Sequence, residues 1–334
     1  MGFDRTTLSR LNYCSIVVAS PLKVARAPVF WHVRRMLEQK IKASEEANLA
    51  PYLGGRSFAE CWDEYETNGY VIFPEIMPPE QVAQQRAALT PFIEADIRGR
   101  NVFEGVQSNR IYAMLGKDPL FAELVLHPLQ LAFAERELGK SFLLSACLAI
   151  NLHPGETVQP WHIDDDHCRQ PFPRKALGVS SFWAIDPMTE DNGATEIIRA
   201  SHKWDDRRPE GANNLSDFIT NGDTGQDHDH GAHPDAIKAV MPAGSLMIAK
   251  GNIWHRGGAN RSDKSRLIVT PQYCPGWMRP LETMLLAVPP EKAAKLPKRA
   301  QDLLGYSIHE PFMGYVDGMH PNRVLSDPAL DNPA

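Results

Sequence analysis

The spacing of apolar positions divides the chain into a largely helical part and a following part that is rich in short strands. Residues 56–140 have a helical pattern apart from one short apolar run at 69–73, which predicts a strand. Pro79 and Glu80 suit the first turn of a helix, where a proline loses no hydrogen bond, and apolar residues recur after them at helical spacing. A second helix is predicted to begin at Asp118-Pro119.

From about residue 141 to 279 the pattern changes to short runs of apolar or alternating residues bounded by turn residues. In one run, alternate positions from Leu177 to Ile185 form one face, and Asp191-Asn192-Gly193 is typical of a turn. Many short strands within one segment favour a β-barrel or sandwich with added helices. The runs that predict strands are 142–152, 176–185, 194–199, 244–249 and 266–273.

The same pattern suggests one large domain with extensions at both ends. We interpret residues 1–55 as an N-terminal extension, residues 56–320 as a single domain and residues 321–334 as a C-terminal tail. Residues 205–240 are polar and rich in Asp, Asn and Gly, which predicts a long inserted loop, and such loops usually serve a site or are mobile. A further helix is expected at 291–304, beyond the strands.

Composition and charge narrow the class of protein. The 334 residues are 43% hydrophobic and 23% charged, with a net charge of −6 and no long basic block, so nothing indicates a nucleic-acid partner. Five cysteines without a CxxC pair favour a reducing cytoplasm over a disulfide framework or a structural zinc site. No apolar run reaches the roughly 18–20 residues of a membrane helix. We expect a cytoplasmic protein without an integral membrane segment, either a monomer or a homodimer.

Three residues form a candidate metal site. On a strand, positions i and i+2 point to the same face, so His162 and Asp164 offer an imidazole and a carboxylate together. His255 follows the predicted strand 244–249 and is the best third ligand. Two histidines and one carboxylate leave coordination positions open, which is typical of non-haem iron oxygenases. A His-x-Asp spacing alone is a weak signal, because it is common in surface pairs.

Arg266 strengthens this interpretation. It opens an apolar run, and a buried guanidinium is costly unless it meets an anion. Its planar fork matches a carboxylate, as binding of a dicarboxylate co-substrate would require. The alternative is a structural ion pair of Arg266 with Asp263 or another neighbouring carboxylate.

Together these motifs resemble the phytanoyl-CoA dioxygenase superfamily, whose members are iron(II)/2-oxoglutarate-dependent oxygenases built on a double-stranded β-helix, or jelly-roll. The resemblance extends from about Phe58 to about Gly318 and implies a mainly β fold with flanking helices. It also implies Fe(II) as the metal, with 2-oxoglutarate and O2 as co-substrates. The motifs that carry it are Gln159-x-x-His162-x-Asp164, Glu190-Asp-Asn-Gly-Ala-Thr195, Ser201-His202-Lys203-Trp204, and His255-x-Gly-Gly-x-Asn260 with Arg266.

Position by position, the resemblance makes His162, Asp164 and His255 the iron ligands and Arg266 the partner of the distal carboxylate of 2-oxoglutarate. Three further positions match residues that contact the co-substrate or line its pocket in relatives. These are Gln159, Thr195 and Trp183. Asp164 stands where halogenating relatives have a small residue, so hydroxylation or another oxidation of an unactivated C–H bond is favoured over halogenation.

The substrate side is less defined. The family's usual Thr-Arg pair corresponds here to Ser108-Asn-Arg-Ile-Tyr112, which makes Arg110 and Tyr112 candidates, and His167 is a third candidate just after the iron motif. The expected substrate is a small organic molecule. Two other functions stay open: a catalytically inactive barrel that binds a ligand, and a zinc-dependent hydrolase that uses the same ligands.

Overall fold

The computed structural model describes residues 48–210, 212 and 233–326. Most of the predicted N-terminal extension, of the predicted loop at 205–240 and of the predicted C-terminal tail lies outside these residues. None of the described helices is long and apolar enough to cross a membrane.

Eight α-helices lie in the described residues, and most of them precede or follow the strands. They are α1 Phe58–Asn68, α2 Pro79–Glu94, α3 Met114–Lys117, α4 Ala122–Val125, α5 Pro128–Leu138, α6 Met284–Ala287, α7 Pro290–Ala293 and α8 Lys298–Leu304. Short 3₁₀-helices occur at Ala50–Tyr52, Pro119–Phe121, Asp166–Cys168, Ser201–Lys203 and Pro321–Leu325. The single helix expected at 291–304 is wrong, because α7 ends at Ala293 and a separate helix, α8, begins after its N-cap Pro297.

The ends of α1 show how local sequence sets an element. Ser57 accepts a hydrogen bond from the backbone N–H of Glu60, and the Glu60 side chain accepts one from the backbone of Ser57, which forms a capping box. The helix ends at Gly69, whose φ of 87° suits glycine. A side chain at Gly69 would also overlap His202 and Ile253, so the turn into the first strand requires a glycine.

Nine strands form two antiparallel sheets. They are β1 Tyr70–Phe73, β2 Ser108–Ile111, β3 Leu143–Leu152, β4 Val179–Ala184, β5 Glu196–Ile198, β6 Ala236–Lys238, β7 Leu246–Lys250, β8 His255–Arg256 and β9 Arg266–Cys274. The larger sheet has the order β1-β7-β4-β9-β3-β2, and the smaller has the order β6-β5-β8. The prediction of a mainly β chain with flanking helices is confirmed, although the pattern did not reveal β2, β6 or β8.

β9 shows how the larger sheet separates the helical core from an internal cavity. Successive residues of a strand point to opposite faces. Leu267 and Val269 pack into the main apolar core together with residues of α1, α5 and α8. Arg266, Ile268 and Thr270 line the cavity on the opposite face. The candidate chemistry therefore lies on the inner face of this sheet.

Candidate active site

His162 and His255 face each other across one antiparallel bridge. The backbone N–H of each donates to the carbonyl oxygen of the other, and both N···O distances are 3.0 Å. Directly opposed residues of an antiparallel pair present their side chains on the same face. The expected strand through 162–164 is wrong, because only His162 is paired there and Asp164 lies in the turn that follows. The bridge and the turn nevertheless bring the three side chains together.

The three candidate ligands converge on one point. Asp164 Oδ1 lies 3.9 Å from His162 Nε2 and 3.6 Å from His255 Nε2. One ligand atom from each residue lies within 4.8 Å of the others, so a single ion can contact all three. In the part of the chain that the structure describes, this is the only group of three or more such side chains with metal-binding spacing.

Each imidazole is held in the form that a metal needs. His162 Nδ1 lies 2.9 Å from the carbonyl oxygen of Pro160, and His255 Nδ1 lies 3.0 Å from that of Ile253. A carbonyl can only accept, so both Nδ1 atoms carry a proton, and Nε2 is the atom of each ring that is left to bind a metal. Burial, with the nearby His255 as the second cause, lowers the pKa of His162 to about 3. His162 is therefore neutral at neutral pH, as metal binding requires.

Hydrogen bonds to Asp164 and to the next residue orient the carboxylate ligand. The Ser180 hydroxyl donates to Asp164 Oδ2, which leaves Oδ1 directed at the histidines. The next residue, Asp165, is buried and accepts hydrogen bonds from the Arg174 guanidinium and from the N–H of Leu177 at 2.7 Å. These contacts fix the turn and so fix the direction of the Asp164 side chain.

The triad opens into a cavity of about 310 Å³ between the two sheets. Its wall combines apolar side chains such as Phe182 and Ile268 with a few polar groups, which is typical of small-molecule sites. Most of the residues indicated by the sequence line it. These are His162, Asp164, His255, Arg266, Gln159, Thr195, Arg110 and Tyr112.

Arg266 is a buried cation with little compensation. Its side chain is 2% exposed, and one terminal nitrogen donates to the carbonyl oxygen of Gly193. The Nε and the other terminal nitrogen have no partner among the described residues, and no described carboxylate lies within ion-pair distance of it. Burial lowers the pKa of Arg266 to about 10, with a further contribution from Arg110. The structural ion pair with Asp263 is therefore absent from the described residues, and the guanidinium suits an anion that enters the cavity.

Gln159 and Thr195 both lie at the cavity, but their surroundings differ. Thr195 is 4% exposed and faces the cavity from the end of the loop before β5. Gln159 already has partners for its amide, because Nε2 donates to the carbonyl oxygen of Phe103 at 2.5 Å and Oε1 accepts from the N–H of Gly257 at 2.9 Å. Of the two, only Thr195 presents to the cavity a side chain without a hydrogen-bond partner among the described residues.

Two indicated residues do not lie at the cavity. Trp183 points to the opposite face of β4, where its indole N–H donates to the carbonyl oxygen of Leu124 at 3.3 Å and to Gln130 Oε1 at 3.2 Å. Its neighbour Phe182 lines the cavity instead, so the pocket role of Trp183 is wrong. His167 is exposed, contacts the backbone carbonyl of Asp164 and does not line the cavity, so its substrate role stays a prediction.

Arg110 lies on β2 and Tyr112 lies just after it, and both line the cavity. Arg110 donates from Nε to the carbonyl oxygen of Glu104 at 2.6 Å and from a terminal nitrogen to that of Phe103 at 3.2 Å. Tyr112 is 39% exposed at the mouth. Phe103 itself was not indicated by the sequence; its ring contacts the His162 ring edge-on, with centroids 4.9 Å apart.

Comparison with protein families matches the Phytanoyl-CoA dioxygenase (PhyH) model over residues 65–268, which is more than half of the chain. The chain belongs to this family. Similar curated proteins include Dioxygenase FUM3 of Gibberella moniliformis, 25% identical over 75% of this chain and 83% of the relative. Dioxygenase ALT11 of Alternaria alternata is 27% identical over 75% of this chain and 83% of the relative. The resemblance to the family is thus confirmed, and the chain is an oxidoreductase.

Solved structures agree on the architecture. HygX from Streptomyces hygroscopicus, solved with nickel and 2-oxoglutarate bound, has 13% identity and a TM-score of 0.54 over 67% of this chain and 90% of HygX. The epimerase SnoN, solved with Fe3+, alpha ketoglutarate and nogalamycin RO, has 18% identity and a TM-score of 0.51 over 65% of this chain and 83% of SnoN. The expected jelly-roll fold of this family member is confirmed.

Proposed function

We propose that the protein is an iron(II)/2-oxoglutarate-dependent dioxygenase that hydroxylates, or otherwise oxidises, an unactivated C–H bond of a small organic molecule. In the hydroxylation, one oxygen atom of O2 enters the substrate and the other enters succinate, while 2-oxoglutarate loses CO2. The observation that carries the proposal is the presence, in one cavity, of the triad and of the buried Arg266, which has no carboxylate partner among the described residues.

The donor set fits ferrous iron. Two imidazoles and one carboxylate suit a divalent ion of intermediate softness and would leave it further coordination positions. His162, Asp164 and His255 would hold the metal, which supplies the site at which dioxygen and the co-substrate react. The hydrogen bonds to Pro160 and Ile253 orient the imidazoles before the metal binds, so little ordering is needed on binding.

Arg266 fits the distal carboxylate of 2-oxoglutarate. Its unpartnered nitrogens can donate charge-assisted hydrogen bonds to a carboxylate, which removes the cost of a buried cation without a counter-ion. A ferrous ion and Arg266 together balance Asp164 and the doubly charged co-substrate. Thr195 lies on the same wall and can donate a hydrogen bond to it.

The remaining cavity suits an organic substrate with a large apolar part. Leu148, Ile150 and Ile268 form an apolar floor on the inner face of β3 and β9, and Tyr112 stands at the mouth. A cavity of about 310 Å³ is at the small end of the range for small-molecule sites. The substrate is therefore a small molecule rather than a polymer.

The test measures succinate formation from 2-oxoglutarate by protein loaded anaerobically with Fe(II) and then exposed to air. His162→Ala and Asp164→Ala should each abolish succinate formation and stoichiometric iron binding. His320→Ala is the matched control, because His320 is exposed and outside the cavity, and it should retain both. Unchanged turnover in Asp164→Ala would overturn the iron assignment. Turnover that needs zinc and proceeds without O2 would instead establish the hydrolase.

A further inference from the structure

One segment of the cavity wall lies directly against a candidate metal ligand. Residues 99–105, called the covering loop below, connect the end of α2 with β2, and Val102, Phe103 and Glu104 line the cavity. The ring of Phe103 meets the His162 ring at 74°, with the centroids 4.9 Å apart. The covering loop therefore shields the metal centre on the side of His162.

Backbone hydrogen bonds fix both ends of the covering loop. The N–H of Gly99 donates to the carbonyl oxygen of Ser108 at 2.9 Å, and the N–H of Gly105 donates to that of Asn101 at 2.9 Å. A side chain on Gly99 would overlap the carbonyl oxygen of Gly105, so this close approach requires a glycine. These contacts fix the base of the loop, and within it the N–H of Glu104 donates to Asn101 Oδ1 at 2.9 Å, but none of them joins the loop to the segments that carry the triad.

The apex is held by two side chains from elsewhere in the chain. Gln159 Nε2 donates to the carbonyl oxygen of Phe103 at 2.5 Å, and Arg110 donates to the carbonyls of both Phe103 and Glu104. Gln159 Oε1 also accepts from the N–H of Gly257, two residues after the ligand His255. Gln159 thus connects the covering loop to the segment that carries a histidine of the triad.

We propose that Gln159 and Arg110 are positioning residues that hold the covering loop, and with it the Phe103 ring, over the metal centre. The inference rests on the proposed function, because it assigns a task to the loop at that metal. It also changes the roles implied by the family resemblance, in which Gln159 contacts the co-substrate and Arg110 belongs to the substrate side. Here the hydrogen bonds that these side chains make go to backbone groups, and the ring that they position is the group that contacts the site.

Gln159 and Arg110, together called the clamp below, act by excluding water from the metal centre. The apolar Phe103 ring beside His162 keeps bulk solvent from the reacting atoms. This limits side reactions and directs the oxidation to the substrate. When the apex is released, Phe103 can leave His162 without any change in the triad. The consequence is co-substrate consumption that exceeds substrate oxidation.

Two variants remove hydrogen bonds of the clamp with little change in side-chain size. Gln159→Glu keeps an acceptor for the N–H of Gly257 but has no donor for the carbonyl of Phe103. Arg110→Lys keeps the positive charge but lacks the planar fork that meets two carbonyls at once. Hydrogen–deuterium exchange of residues 99–105 in the metal-free protein should speed up by roughly tenfold in each variant, since a net hydrogen bond is worth about 1–1.5 kcal/mol.

Gln170→Glu is the matched control, because Gln170 is exposed and makes no contact with the covering loop. Exchange in β3 and β9 should stay at the wild-type rate in all variants, which establishes that the fold is intact. Unchanged exchange of residues 99–105 in both clamp variants would overturn the proposal. Unchanged exchange with a raised KM for 2-oxoglutarate in Gln159→Glu would instead assign Gln159 to the co-substrate.

A second measurement uses the iron-loaded enzyme and compares succinate formed with substrate oxidised. The clamp variants and Phe103→Ala should raise this ratio several-fold above wild type, and Phe103→Ala should do so with much less effect on the exchange of the loop backbone. A ratio that stays at the wild-type value in all three variants would refute the shielding role. Absence of any succinate in the wild-type protein would refute the proposed function alone, because the exchange experiment needs neither metal nor turnover.

Discussion

Replacing Arg266 with methionine should weaken co-substrate binding and at the same time stabilise the metal-free protein. Methionine fills a similar volume but carries neither charge nor donors. Arg266 has one hydrogen bond, to the carbonyl of Gly193, and its remaining nitrogens have no partner among the described residues. The side chain therefore costs stability until an anion enters the cavity. Opposite signs for binding and stability distinguish a ligand-binding arginine from a structural one.

The loss in binding follows from the unpartnered nitrogens of Arg266. Two charge-assisted hydrogen bonds to a carboxylate are worth roughly 1.5–3 kcal/mol each. Their removal raises the Kd for 2-oxoglutarate by about 10²- to 10⁴-fold, at about 1.4 kcal/mol for each factor of ten. The measurement is a titration of 2-oxoglutarate into protein loaded with Ni(II), which does not turn over.

The gain in stability follows from the cost of burial. Burial lowers the pKa of Arg266 from its ordinary value to about 10. For a base, a lowered pKa means that the folded state disfavours the charged form, so this cost is fully present at neutral pH and declines only as the pH rises through about 10. It is on the order of 3 kcal/mol, from about 1.4 kcal/mol per pKa unit. The lost hydrogen bond to Gly193 offsets about 1 kcal/mol of the gain.

The net stabilisation of about 2 kcal/mol should raise the Tm of the metal-free protein by roughly 4 °C. Arg279→Met is the matched control, because Arg279 is exposed and lies outside this cavity, and it should change neither the Tm nor the Kd appreciably. Wild-type affinity for 2-oxoglutarate in Arg266→Met, or a Tm several degrees below wild type, would refute the reasoning.

Two further substitutions test the surroundings of the triad. Ser180→Ala removes the hydroxyl that donates to Asp164, and it should weaken metal binding by roughly 10- to 100-fold in a metal titration, whereas unchanged affinity would show that Asp164 orients itself. Trp183→Phe removes the indole N–H that donates to Leu124 and Gln130, and it should lower the free energy of unfolding by about 1 kcal/mol in urea. The KM for 2-oxoglutarate should stay at the wild-type value, and a clear rise would return Trp183 to the co-substrate pocket.

The long strands and the triad could be predicted from sequence because their signals are local or strongly typed. β3, β4, β7 and β9 are apolar runs bounded by turns, and a histidine two residues before an aspartate is conspicuous once Arg266 and a second histidine are considered with it. β6 and β8 have three and two residues, which is too short for alternation to be recognised. Their existence depends on pairing partners that are distant in the chain.

The error at Trp183 has a different cause. Every residue of β4 is buried, and each face carries one serine among apolar residues, so alternation does not reveal which face is inside the cavity. The phase is set by pairing with β7 and β9, and it places Phe182 rather than Trp183 at the site. The covering loop could not be predicted either. Gln159 and Arg110 bind its backbone carbonyls, and every residue type carries a backbone carbonyl, so the loop sequence does not indicate these contacts.

Because His162 and His255 are joined by a backbone bridge, the geometry of the metal centre does not depend on how many residues separate the two ligands in the chain. The separation of the two imidazoles is set by two backbone hydrogen bonds rather than by the number of residues between His162 and His255. Variation in the residues that line the cavity can therefore alter which molecules reach the metal while the ligands stay in place. Exchange of loop segments between family members, with the bridge retained, is therefore a practical route to new substrate preferences on this scaffold.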